Sequence, residues 1–220
     1  MLAIDTSTSR IVVSAGRLDG TVIKVLTWPA AHRHGELLLA GVEALIEASG
    51  HPRRTLAGIV VGTGPGAFTG LRVGLATAKT LARALGLPIV GVGTGRALLE
   101  AAPGSVDAGR TVVLLPAGPR DRVEVRADRD ARLLPGGTDP TVGPGETVIA
   151  VDLDGRAPAD ALERGMVALD GLGAALLRLG AARLASGEVD DVDLLVPDYV
   201  TLPRGVAIAS GEIALTTDPR

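Results

Sequence analysis

The chain has 220 residues, 46% of them hydrophobic, and a formal net charge of −3. That length can bury a substantial core as one large or two small domains, and the charge gives no electrostatic argument for nucleic-acid binding. Cysteine is absent, which excludes disulfides and thiolate chemistry, and Trp28, Phe68 and Tyr199 are the whole aromatic complement, too few for a base-stacking platform. No basic stretch followed by an apolar run opens the chain, so no signal peptide is expected. No uninterrupted apolar run approaches the roughly 20 residues that span a bilayer. The expected compartment is the cytoplasm.

Leu2 to Ile4 reads as a short strand ending at Asp5, followed by a hydroxyl-rich turn, Thr6 to Ser9. Ile11 to Val13 starts a second strand. Asp19-Gly20 is a hairpin signal leading into a third, Thr21 to Trp28. His34 to Ser49 has helical spacing, with Leu38, Val42, Leu45 and Ile46 on one face. Leu37 and Gly41 widen that apolar sector beyond what one buried face needs. Ile59 to Gly62 is a buried strand entering the glycine-rich turn Gly62–Gly66. The following helix is expected over Gly70 to Leu85, with Thr69 as N-cap, Phe68 stapling Val73, and Gly86 as C-cap. Pro88 to Val92 is the next strand and Gly95 to Ala102 a short helix. The composition shifts near Pro103-Gly104. Thr111 to Leu115, Arg122 to Ala127 and Thr147 to Val151 read as strands of a second sheet. Pro158 to Arg164 and Leu172 to Ala185 read as two helices. Leu194 to Tyr199 returns toward the first half, and the tail from Gly205 has no clear pattern.

The glycine-rich turn between strand and helix could present N–H groups to an anion, or be a tight turn that needs positive φ. It lacks the Gly-Lys-Ser/Thr ending of a P-loop and the dinucleotide spacing. Gly70, Gly74, Ala78 and Ala82 recur every fourth position. This smooth stripe would seat another helix or this chain's own sheet, with Arg72, Lys79 and Arg83 on the water side. Asp5 could hold a metal-bound water near a phosphate, or cap its own turn through Thr8 or Ser9. His32, His34 and His51 are the only histidines. Without cysteine they make no zinc site, and no Ser-His-Asp arrangement stands out. The acidic run Glu188, Asp190, Asp191 and Asp193 reads as a solvated connection.

Gly64 to Gly74, followed by Ala78 to Ala82, closely resembles the TsaB (YeaZ) family, as do Ala3 to Ser7 and His34 to Leu38. Pro197 to Val200 is similar to that family's Pro-x-Tyr-Leu-Arg, with the Leu-Arg pair changed. The match is strong over residues 1–100 and weak over 105–195. The resemblance implies an α/β, actin-like ATPase superfamily (ASKHA) fold of two ribonuclease-H-like lobes with mixed sheets, one comprising residues 1–104 plus about 198–220 and the other 105–197. It implies a non-catalytic paralogue of the ligase TsaD, acting in threonylcarbamoyladenosine formation beside the tRNA anticodon. The implied partners are a TsaD-like ligase and a TsaE-like ATPase, with a homodimer when alone, tRNA reached only through the complex, and no membrane.

The implied partner face comprises His34, Leu37, Leu38, Gly41, Val42, Leu45, Gly70, Leu71, Gly74, Leu75, Ala78 and Ala82. A vestigial nucleotide site would comprise Asp5, Thr6, Ser7, Gly64 and Gly66. No catalytic residue, metal ligand or cofactor is expected. Where the ligase carries its His-x-x-x-His motif, this chain reads Val92 to Ala97. The Asp-Ala-Arg segment usual in the first strand of lobe two is replaced by Leu115 to Pro119. The alternative is an active ASKHA kinase or transferase binding Mg-nucleotide at Asp5 and the Gly62–Gly66 turn. The missing ligands and the lack of a glycine in the Thr-Ser turn count against it. An older peptidase label for the family finds no nucleophile–base pair here.

Overall fold

A computed structural model describes residues 1–30, 34–104, 109–200, 206–209 and 212–215. Five strands form the first sheet: β1 (Leu2–Asp5), β2 (Arg10–Gly16), β3 (Val22–Pro29), β4 (Ile59–Gly64) and β5 (Ile89–Gly93), in the order β3-β2-β1-β4-β5. β1 runs antiparallel to β2 and parallel to β4, and β4 runs parallel to β5. β1 and β4 are buried at every residue, so their apolar side chains must be covered on both faces.

Strand alternation sorts those side chains into two layers. Leu2, Ile4, Ile11, Val13, Ile59 and Val61 face α1 (His34–Ser49) and α2 (Phe68–Leu85). Ala3, Val12, Val60 and Val90 face α3 (Thr94–Ala101) and α4 (Ala159–Ala185). α1 has the bounds its periodicity predicts. α2 starts two residues before the expected Gly70, because the chain leaves β4 through a turn pinned by the Ala67 N–H donating to Ser7 O at 2.6 Å. Ala67, not Thr69, is therefore the N-cap, and it makes no side-chain cap bond. Gly86 ends α2 in the left-handed region, φ 63°, its N–H donating to Ala82 O and Arg83 O.

The second sheet is β6 (Thr111–Pro116), β7 (Arg122–Val125), β8 (Arg132–Leu134) and β9 (Thr147–Ala150), in the order β8-β7-β6-β9 with β6 parallel to β9. The three-residue β8 is too short to read from pattern. Val113, Leu115, Val123, Val125 and Ile149 face the α3–α4 layer, which is thus shared by both sheets. On the opposite face, β7 turns Arg122, Glu124 and Arg126 under the segment 135–146. Arg122 donates to Thr138 O, and Arg126 to Thr141 O, Glu124 and Glu146.

α4 is one helix of 27 residues where two were expected. Its glycines are sites of close approach. A Cβ at Gly165 would lie 1.8 Å from Ala150 O, and one at Gly180 would lie 2.3 Å from Val60 Cγ2. By length and composition α4 could cross a membrane, yet 56% of its most apolar window is buried between the sheets. Asp190 N–H donates to Ile89 O and Asp198 N–H to Thr63 O, which brings the chain back to the first sheet. β10 (Val206–Ala209) and β11 (Glu212–Leu215) pair antiparallel, which the sequence did not suggest. Residues 201–205, 210–211 and 216–220 lie outside the described residues.

Candidate functional site

Asp5 is fully buried at the end of β1. Its Oδ1 accepts from the Ser7 N–H at 2.8 Å and the Ser7 hydroxyl at 2.7 Å, and its Oδ2 from the Thr94 hydroxyl at 2.6 Å. Burial pushes the Asp5 carboxyl above its usual range. The bonds from Thr94 and Ser7 oppose that shift, and the charge of Asp152 adds to it. Asp5 does cap its own turn, but through Ser7 rather than Thr8 or Ser9. It also ties that turn to the first residue of α3, a link only the fold reveals.

The glycine-rich turn packs on this cluster. A Cβ at Gly62 would lie 1.8 Å from Asp5 Oδ2, and one at Gly66 would lie 2.2 Å from Ser7 O. The Gly64 N–H donates to Thr94 Oγ1 at 3.1 Å, and Gly64 itself has φ +103°. The turn is tight because the backbone must pass Asp5 and Ser7 closely, and its Gly64 N–H and the Ala67 N–H just after it are bonded within the protein. Asp5, Thr6, Ser7, Gly64 and Gly66 are thus brought together, bonded to or packed on one another and on α2. Beside them a cleft of about 660 Å³ runs between the turn before α2 and the β6–β7 turn at Pro116–Pro119, with Asp198 and Tyr199 at one end.

Phe68 does not staple Val73. Its ring meets Tyr199, with centroids 5.5 Å apart, and the Arg72 guanidinium lies 3.8 Å above it. Arg72 Nε also donates to the Tyr199 hydroxyl at 3.2 Å. Lys79 Nζ donates to Asp193 O and Leu195 O, and Arg83 pairs with Asp193. The cationic side of α2, expected to face only water, holds down the returning segment.

Most side chains of the implied partner face lie inside the chain. Leu38, Gly41, Val42 and Leu45 of α1 are buried within the chain, as are Gly70, Leu71, Gly74, Leu75, Ala78 and Ala82 of α2. A Cβ at Gly41 would lie 1.9 Å from Trp28, and one at Gly74 would lie 2.2 Å from Thr6 Oγ1. The stripe of small residues seats α2 on its own sheet. Leu37 is half-buried, and the His34 side chain and all of His32 lie outside the described residues. The side chains that α1 and α2 turn outward are others. Leu39 is 53% exposed, and Ile46 and Leu81 are half-buried. Together with Glu43 and Arg53 they line an apolar cavity of about 120 Å³ that opens between the helices. Leu39 lies four residues from both Gly35 and Glu43, so the apolar periodicity that marks α1 gave no signal for it.

Among the described residues no three His, Asp or Glu side chains are grouped to hold a metal. Val92 to Ala97 ends β5 and opens α3. Thr94 is spent on Asp5 there, and a Cβ at Gly95 would lie 2.8 Å from Val125.

Residues 28–152, more than half of the chain, match the family model described as TsaD, tRNA N6-adenosine threonylcarbamoyltransferase. The TsaB protein of Bacillus subtilis, a tRNA threonylcarbamoyladenosine biosynthesis protein, is 35% identical over 92 residues, 42% of this chain and 40% of that one. The chain belongs to the TsaD family, in its TsaB (YeaZ) branch. An uncharacterized Mycobacterium tuberculosis protein is 41% identical to this TsaB-branch chain over 95 residues, 42% of this chain and 44% of its own length. The chain therefore spans less than half the length of these curated relatives. YeaZ from Pseudomonas aeruginosa superposes on 90% of this chain and 98% of its own, with a TM-score of 0.71 at 22% identity. The two mixed sheets around a shared helical layer are the actin-like ATPase fold of the TsaB branch.

Proposed function

We propose that this chain is a non-catalytic subunit of the machinery that forms threonylcarbamoyladenosine in tRNA. It binds a TsaD-like ligase through the outward faces of α1 and α2. The observation that carries this reading is the apolar opening between those helices, where Leu39, Ile46 and Leu81 surround a cavity of about 120 Å³. An exposed leucine beside an unfilled apolar recess suits insertion of a partner side chain. The names of the relatives supply the pathway, since the Bacillus subtilis and Escherichia coli proteins are tRNA threonylcarbamoyladenosine biosynthesis proteins. In this reading a TsaE-like ATPase joins the assembly, tRNA is reached through the ligase, and the same face forms a homodimer when the ligase is absent. The region equivalent to the ligase's histidine motif is given over to Thr94–Asp5 bonding and Gly95–Val125 packing, which supports a chain without transfer chemistry.

Co-purification tests the reading. Leu39→Glu and Leu81→Glu place a charge at the opening; Leu39 is exposed, whereas Leu81 packs on the buried layer beneath. Both are expected to abolish capture of the organism's TsaD, and Leu39→Glu to leave the thermal transition within a few degrees of wild type. Undiminished capture by both variants would refute this use of the face.

A further inference from the structure

The turn between β1 and β2 ends in a contact that spans the two sheets. The Ser9 N–H donates to Asp152 Oδ2 at 2.6 Å, and the Ser9 hydroxyl donates to Asp152 Oδ1 at 2.5 Å. Ser9 immediately precedes β2 of the first sheet, and Asp152 follows β9 of the second. One carboxylate thus receives two charge-assisted bonds from a single residue 143 positions away. Asp152 is also the one described residue other than glycine with positive φ, at 56°. Asp tolerates that region better than most L residues but still enters it at a cost. Its own carbonyl accepts from Arg156 Nη2 at 3.3 Å, and the Val151 N–H just before it donates to Leu114 O at 3.0 Å. The carboxylate is therefore aimed from the rigid end of the β6–β9 pair.

The two anchors lead directly to the walls of the cleft. On one side Ser7 O holds the Ala67 N–H, and Ala67 lines the cleft. On the other side β6, paired to β9, continues into Pro116 and Ala117 of the opposite wall. The α3–α4 layer also joins the sheets: its contacts are largely apolar, with the Ser14 hydroxyl donating to Gly173 O and Arg183 to Gly91 O on the first sheet, and Arg164 to Val148 O on the second. A neighbouring tie, Arg10 to Asp170 at 2.6 Å, joins the start of β2 to α4 and, like the Ser9–Asp152 pair, is exposed.

We infer that Asp152 is a latch that fixes the two sheets relative to each other and so sets the width of the cleft. Without its carboxylate the two Ser9 donors lose their partner, and the sheets hinge more freely about the helical layer. This inference does not depend on which protein covers α1 and α2.

The absence of cysteine makes the test direct, since two introduced cysteines label cleanly. Lys24→Cys on the first sheet and Leu133→Cys on the second would carry spin labels on the whole protein. Asp152→Gly removes the carboxylate and relieves the backbone. Asp152→Asn keeps the side-chain shape and the left-handed tolerance, and guards against a variant that fails to fold. The expected result in Asp152→Gly is Ser9 amide exchange faster by roughly tenfold or more, with the Ser14 amide unchanged. The label-to-label distance distribution broadens, and Asp152→Asn falls between Asp152→Gly and wild type in both readouts. If either variant keeps wild-type Ser9 protection, or the distribution in Asp152→Gly superimposes on wild type, the latch is refuted.

Discussion

Adding one methyl group at Gly74 tests how α2 is seated. A Cβ there would lie 2.2 Å from Thr6 Oγ1, whereas carbon and oxygen normally stay roughly 3.3 Å or more apart. Thr6 or the helix must therefore move by about 1 Å. Thr6 is buried and its hydroxyl donates to Gly70 O at 2.7 Å, so it cannot swing into solvent. Overpacking of this kind costs about 1–3 kcal/mol, and straining the Thr6 bond adds about 1 kcal/mol. The better helix propensity of alanine returns about 1 kcal/mol. The net expectation for Gly74→Ala is a loss of about 2 kcal/mol, or roughly 4–8 °C in the thermal transition for a chain of this size. Urea titration followed by far-UV circular dichroism and by Trp28 fluorescence would measure it. Thr6→Ala removes the obstructing oxygen, so in that background Gly74→Ala should cost little, giving a coupling above about 1 kcal/mol. An equal cost in both backgrounds would show that the stripe is not seated on Thr6.

Asp5→Asn should keep both Ser7 bonds at its amide oxygen and reverse the Thr94 bond, while removing the charge. Because burial raises the folded-state value of Asp5, the wild type loses stability as pH rises from the unfolded carboxyl value, about 4, toward the folded one. The variant should gain on wild type across that window in urea titrations run from acid to neutral pH; parallel curves would contradict the assignment. Arg126→Met leaves Glu124 and Glu146 facing each other under the 135–146 segment. A loss of about 3–5 kcal/mol is expected, partly recovered by adding Glu124→Met, and a change within about 0.5 kcal/mol would mean that the segment is held otherwise. Burial raises Glu124, but the bonds from Arg126 and Arg132 outweigh it and leave its carboxyl low. This cluster therefore contributes fully above the ordinary glutamate value, about 4.3, and its contribution is lost as pH falls through the folded one. Gly35→Ala meets nothing within 4 Å in the first turn of α1. It should stabilise by up to about 1 kcal/mol, and a loss on thermal melting would argue against that exposure.

The first sheet and its helices were legible because their signals are local. Strand alternation, the hairpin at Asp19-Gly20 and the stop at Gly86 each act within a few residues. α4 was read as two helices because Gly165, Gly171 and Gly173 weaken a helical pattern. What they permit, contact with Ala150, Ala101 and Val25, is set by residues far away in sequence. The small-residue stripe of α2 was visible, but its spacing cannot say whether the surface it meets belongs to the same chain. Thr6 and the sheet beneath answer that. Leu39 was missed for the complementary reason, since it lies outside the periodic core face that marks α1 as a helix. The Asp5–Thr94 and Ser9–Asp152 links join elements 89 and 143 residues apart, and no spacing rule connects them. Arg122 and Glu124 of β7 and Arg126 just after it alternate like a solvated face, yet all three are buried by a segment with no periodicity of its own.

The central claim is that this chain enables a ligase rather than performing the transfer. Its most direct test is threonylcarbamoylation of unmodified tRNA by the organism's TsaD and TsaE, measured with this chain present, omitted, or supplied alone. The account predicts modification only when the chain and TsaD are both present, and none by the chain alone. Modification by the chain alone, or undiminished modification when it is omitted, would contradict it.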